Sequence, residues 1–234
     1  MTASEKIEFL SAKLKPTRVE LMRRALKWRT RRITVVLEDV FQSHNASAVL
    51  RSCDAFGIQE AHIIENRNKF IPSRNVDMGA SKWMDIHRYT LPIARRRRAN
   101  EPRELSVDDN CLANTRAALE KIKGEGYLLA ASTLREGAID ILDVPVDRPL
   151  AVMIGTELTG LTQTAHEMAD ITFSMPMYGF VQSVNLSVFS ALCLNILVNK
   201  MRNYSEDWKL SEQESEALML DWLGRCLASA KDIL

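Results

Sequence analysis

An apolar, β-branched run, Ile33–Val40 (ITVVLEDV), is followed by a segment of helical period, Asn45–Phe56 (NASAVLRSCDAF), that stops at Gly57. A second short apolar run, Ala61–Glu65 (AHIIE), comes next. Two strands separated by a helix cannot close as a hairpin, so the unit is βαβ and its strands belong to a parallel sheet. The alternation resumes downstream: the pattern predicts a helix near Ala113–Lys123, strands at Tyr127–Ser132 and Leu150–Ile154, a short helix at Thr162–Met168 and a strand at Ile171–Met175. A long apolar helix follows over about Asn185–Met201. The expected fold class is α/β, a parallel sheet flanked by helices.

The segments around this alternation differ in charge. Residues 1–32 carry ten Lys/Arg against three Glu, and residues 203–234 carry three against seven acids, so the net charge of +1 conceals a basic and an acidic end. Thr17-Arg18-Val19-Glu20 has the form of a capping box and opens a basic amphipathic helix with Val19, Met22, Ala25 and Leu26 on one stripe. Ser211 and Glu214 form a second such box, ahead of a helix whose packing face is Met219, Leu223, Leu227 and Ala230. Residues 92–112 lack apolar periodicity and contain Arg95–Arg98, which reads as an inserted loop. Three regions result: a basic helical arm over 1–32, an α/β domain over 33–202 and a helical extension over 203–234.

Composition narrows the function classes. With 46% hydrophobic and 26% charged residues the chain is an ordinary globular protein, not a disordered or fibrous one. No apolar run reaches membrane-spanning length, and the first residues lack the apolar stretch of a secretory signal, so a cytoplasmic location is expected. Cys53, Cys111, Cys193 and Cys226 lie far apart without ligand spacing and read as reduced, mostly buried thiols; no metal site is expected. The histidines, His44, His62, His87 and His166, are scattered and read as surface or satisfied polar residues. The glycine fingerprint of nicotinamide enzymes, the Walker loop, GxSxG and HExxH are all missing.

Three polar clusters remain, each where a strand gives way to a loop or helix, the edge at which open α/β sheets bind ligands. In His44–Arg51 (HNASAVLR), Asn45 can cap the helix that carries Arg51, or the pair can be a site. In Gly155–Leu161 (GTELTGL), two glycines allow close backbone approach and Glu157 places a carboxylate at a strand end; a tight turn gives the same pattern. In Met175–Val188 (MPMYGFVQSVNLSV), Ser183 and Asn185 offer a hydroxyl and an amide at the start of the long helix, where capping is the plainer role.

Together, in this order, the clusters resemble the SpoU/TrmH family of RNA 2′-O-ribose methyltransferases, of the SPOUT class, over about residues 17–205. The matching patterns are N-x5-R as Asn45 and Arg51, G-x-E-x-x-G-L from Gly155, and P-M-x-G-x-x-x-S-x-N-x-S-V from Pro176. The basic arm, the HNASAVLRSCDAFG form of the first motif and GASKW at Gly79–Trp83 are similar to members that modify guanosine 18 in the tRNA D-loop.

The resemblance implies a SPOUT-type sheet with a C-terminal trefoil knot, S-adenosylmethionine (AdoMet) as methyl donor, and a homodimer with the active site at its interface. It implies tRNA as the partner, with no DNA and no membrane. Carried over residue by residue, Arg51 is the catalytic arginine and Asn45 its support, with Glu157, Ser183 and Asn185 completing the active site. Ser132, Gly155, Met175 and Val184 fall at the cofactor. Arg23, Arg24, Lys27 and Arg31 of the arm, and Lys200 and Arg202 near the end of the long helix, are the expected RNA contacts. The last two stand one position out of register with the basic pair of relatives, and the 92–112 loop and the acidic end depart from close members. A ribose hydroxyl must be aligned with the methyl group and its proton weakened. An arginine, which carries only donors, would orient and polarise that hydroxyl rather than act as a base. Two other readings stand beside this one: a 2′-O-methyltransferase for rRNA or another tRNA position, and a non-catalytic RNA-binding protein of the same fold.

Overall fold

A computed structural model of the chain describes residues 1–90 and 109–227. Arg95–Arg98, most of the expected inserted loop, and Ala230 lie outside the described residues. Seven strands form one sheet in the order β3-β2-β1-β6-β4-β7-β5. They are β1 (Ile33–Glu38), β2 (Glu60–Glu65), β3 (Asp85–Thr90), β4 (Leu128–Ser132), β5 (Ile139–Asp140), β6 (Leu150–Ile154) and β7 (Ile171–Ser174). Every pairing is parallel, with Val35 opposite Ala61 of β2 and Val152 of β6.

The pleat explains why the central strands read as unbroken apolar runs. Ile33, Val35 and Leu37 of β1 and Leu150, Val152 and Ile154 of β6 enter one core, and Val36, Ala151 and Met153 enter the other. The first core packs against α3 (Ser43–Phe56) and α7 (Leu186–Tyr204), the second against α5 (Asp109–Gly124) and α6 (Gln163–Met168). Between β2 and β3 lies the one-turn α4 (Arg74–Asp77). Gly57 ends α3 in the left-handed region, at φ +81°, where a Cβ would stand 2.2 Å from the Trp28 carbonyl oxygen. Glycine there is a requirement of both conformation and space.

The two ends of the chain meet. α1 (Ala3–Ser11), α2 (Pro16–Leu26) and α8 (Glu212–Cys226) bury Leu10, Val19, Met22, Leu218, Met219, Trp222 and Leu223 in a third cluster. Arg29, 3% exposed, joins this cluster to the sheet domain: it pairs with Asp54, donates to the Ile58 carbonyl at 3.1 Å and lies 5.3 Å from the Trp222 ring.

Several boundaries differ from the sequence expectation. α2 starts at Pro16 with Lys15 as its cap, so the Thr17/Glu20 box is unused; a box that does form, Thr2 with Glu5, opens α1. α5 already includes residues 109–112, inside the expected loop. Strands β3 and β5 are additional. Ser211 and Glu214 cap α8 as expected. Cys53, Cys111 and Cys193 are buried and Cys226 is partly so, all as free thiols. Among the described residues, no helix is long and apolar enough to cross a membrane.

Candidate active site

The parallel sheet brings the carboxyl ends of β1, β4, β6 and β7 to one edge, and the loops leaving them enclose a cavity of about 880 Å³. That size lies within the roughly 300–1,000 Å³ common for small-molecule sites. Its lining includes Asn45, Ser132, Gly155, Glu157, Met175, Ser183, Val184 and Asn185, together with apolar Leu134, Leu161, Leu186 and Phe189. Of the residues expected at the reaction centre or the cofactor, Arg51 alone is not in the lining.

Local structure accounts for each position. Gly155 follows β6 directly, and a Cβ there would come within 2.1 Å of the Gly160 backbone, because the loop folds straight back on itself. Paired hydrogen bonds between Thr156 and Gly160, both 3.0 Å, close that fold. Its far end is tied down by Glu38 of β1, which accepts from the Thr162 backbone N–H and hydroxyl and from the Thr115 hydroxyl, each at 2.8 Å. Burial, the largest influence on this carboxyl, holds its pKa above the usual value. Glu38 is a structural member of the site that the sequence reading missed, since its partners lie far along the chain.

Asn45 is buried in the first turn of α3 and does not cap it; Gln42 stands at the cap position. The Asn45 amide donates to Glu157 Oε1 at 2.8 Å and to Gln42 Oε1 at 3.2 Å, and accepts from Asn185 Nδ2 at 3.3 Å. Glu157 Oε2 accepts from the Phe41 backbone N–H at 3.3 Å. Asn185 does cap α7, through Ser187. Three distant segments are thus locked around one amide. On the cavity wall, Arg135 donates to Gln163 at 3.0 Å, and burial followed by the Arg135 charge lowers the His166 pKa.

The remaining expected residues divide in two. Arg23, Arg24, Lys27 and Arg51 are exposed, and their side chains make no hydrogen bond or ion pair with another described residue. The other three are partly buried and committed internally. Arg31 pairs with Glu60 and with Asp85 at 2.7 Å; Lys200 donates to the carbonyls of Leu142 and Val144; Arg202 donates to those of Trp28 and Phe56. Each sits where backbone acceptors or carboxylates converge, which the helical pattern could not reveal.

The family model described as the SpoU rRNA Methylase family matches residues 32–97 and 97–195. The chain belongs to this SpoU family. Similar relatives within it include the tRNA (guanosine(18)-2′-O)-methyltransferase of Borreliella burgdorferi, 33% identical over 89% of this chain and 84% of that protein. The enzyme of the same name from Thermus thermophilus is 34% identical over 76% of this chain and 81% of its own length. The crystal structure of the A. aeolicus TrmH/SpoU tRNA modifying enzyme superposes with a TM-score of 0.72 over 90% of this chain and 97% of that one; at 24% identity this is a likeness of fold. In this SpoU-family chain the cavity lies within the matched region, while α1, most of the basic arm and α8 fall outside it.

Proposed function

We propose that this chain transfers a methyl group from AdoMet to a ribose 2′-hydroxyl in tRNA, with guanosine 18 of the D-loop as the target. The observation that carries this reading is the single cavity that gathers Asn45, Glu157, Ser183 and Asn185 with Ser132, Gly155, Met175 and Val184 from separate segments. The activity named for the similar relatives supports it.

The cavity fits AdoMet by its chemistry. Apolar Leu134, Leu161 and Phe189 suit an adenine ring, and strand-end backbone groups at Ser132, Gly155 and Met175 suit its polar edge. When bound, AdoMet supplies a sulfonium-activated methyl group. Asn45, Glu157 and Asn185 brace the wall beside it, and Ser183 offers a hydroxyl to the ribose.

Arg51 lies outside the cavity of its own chain, and we assign it to the cavity of a second copy in a homodimer. Exposed Tyr178, Phe180 and Val181 on the loop before α7, with Val188 and Leu192 on its outer face, supply an apolar surface for that association. There the guanidinium orients and polarises the ribose hydroxyl. The loops over 155–161 and 176–185 are the segments we assign to a trefoil knot, and residues 1–32 and 203–234 we assign to extensions that help dock tRNA. Mass-spectrometric mapping of ribose methylation in tRNA and rRNA, from cells with and without the gene, tests the reading. Loss confined to guanosine 18 of tRNA is expected; an unchanged guanosine 18 would overturn it.

A further inference from the structure

The stretch Arg23-Arg24-Ala25-Leu26-Lys27-Trp28 is put to two uses. Ala25 and Leu26 turn toward the cluster shared with α1 and α8, while Arg23, Arg24 and Lys27 stay exposed with uncommitted side chains. The turn continues past the helix end, with the Trp28 N–H donating to the Ala25 carbonyl at 3.0 Å, so Trp28 stands about one turn beyond Arg24.

Trp28 is 55% exposed, an unusual setting for so large a ring. Its position is nevertheless fixed. One side covers Trp208, with centroids 5.9 Å apart and planes within 13°, and the Arg202 guanidinium lies 5.3 Å from the Trp28 ring and 5.0 Å from Trp208. Arg202 in turn is tied to the carbonyls of Trp28 and Phe56. A rigid indole is therefore held outward beside three cations that have nothing of their own to neutralise. Tyr204, two residues beyond Arg202, is also open, at 64%.

A double helix would meet the cations with phosphates but would offer no base face to the ring. An unpaired stretch offers both, and sites for single strands combine stacking aromatics with cations along the backbone. We propose that Trp28 is a stacking platform for an unpaired nucleotide of the tRNA, with Arg24 and Lys27 holding the neighbouring phosphates. This rests on the reading of tRNA as substrate and places a contact away from the reaction centre: Trp28 precedes the amino end of β1, and the cavity opens beyond its carboxyl end, about 20 Å along a six-residue strand.

The test is tRNA binding by the full chain at several salt concentrations. Trp28→Leu keeps an apolar cover over Trp208 but removes the ring; it should bind tRNA about tenfold more weakly with an unchanged salt slope, the scale of one lost stacking contact. Trp28→Tyr should bind within about twofold of the parent, since it retains a stacking face. Lys27→Ala should shallow the salt slope by about one phosphate contact. AdoMet affinity should not move in Trp28→Leu, and the thermal midpoint should fall only by the few degrees that the lost stacking on Trp208 costs. Parental tRNA affinity in Trp28→Leu, or a loss matched by a larger fall in midpoint and weaker AdoMet binding, would overturn the platform. A parent chain that binds no tRNA would instead refute the substrate reading, a distinguishable result that removes the platform with it.

Discussion

Asn45 shows how a residue can be legible in a sequence while its role is not. The spacing of Asn45 and Arg51 fits either a site or a helix cap with a surface arginine, and capping was the plainer local use for the asparagine. Its partners, Glu157 and Asn185, lie 112 and 140 residues away, so no local pattern encodes the brace they form. The brace engages both Glu157 oxygens, one with the Asn45 amide and one with the Phe41 backbone N–H. His62 was hidden for a different reason. It sits on buried β2, stacks on His87 at 4.9 Å and meets the Tyr89 hydroxyl at 3.0 Å, and its Nε2 has no hydrogen-bond partner. Burial first, then the charges of His87 and Lys121, lowers its pKa to about 3. Between the unfolded value near 6.5 and about 3 the unfolded chain takes up a proton that the folded chain refuses, so stability falls as pH falls. At pH 5 the cost is about 2 kcal/mol. Urea unfolding at pH 7.5 and pH 5 should show that extra loss in the parent but not in His62→Phe; equal losses would contradict the argument.

At the scale of elements, strands buried on both faces were legible because sheet burial writes an unbroken apolar run, as in β1 and β6. β3, with the sequence DIHRYT, was not: it is an edge strand of mixed polarity and mostly intermediate burial, without the contrast that marks a core strand. Helix starts were legible only where the cap and the packing agreed. α2 begins at Pro16 because proline suits the first turn, overriding the box two residues in. At α8 both agree. Ser211 Oγ accepts from the Glu214 N–H at 3.2 Å, and the Glu214 carboxylate accepts from the Ser211 N–H at 2.8 Å, a bond that also lowers its pKa. Ser211→Ala removes one half of this exchange and should lower stability by about 1 kcal/mol. Equilibrium unfolding measures it, and an unchanged midpoint would show that the third cluster, not the cap, sets the start of α8.

For the molecule as a whole, the charge asymmetry of the two ends reads differently once they are seen packed together. Arg31 faces Glu60, Asp85 and, at 4.0 Å, Glu214 of α8, while Arg225 of α8 meets Asp85 at 3.1 Å. Part of the basic arm is therefore neutralised inside the chain, while Arg23, Arg24 and Lys27 stay exposed and unpaired among the described residues. Long-range pairing of this kind is invisible to local charge counting, as is the placement of Arg51 outside the cavity that its motif partners build. That placement underlies our central proposal, that the reaction centre combines the cavity of one copy with Arg51 of another. The most direct measurement uses heterodimers purified through two different tags, one copy carrying Arg51→Ala and the other Val184→Trp, which fills the cavity. Homodimers of either variant should fold but fail to methylate tRNA. The heterodimer, retaining one complete centre of two, should recover about half the parental rate. An Arg51→Ala homodimer methylating at near-parental rate, or a heterodimer as silent as its parts, would contradict the account.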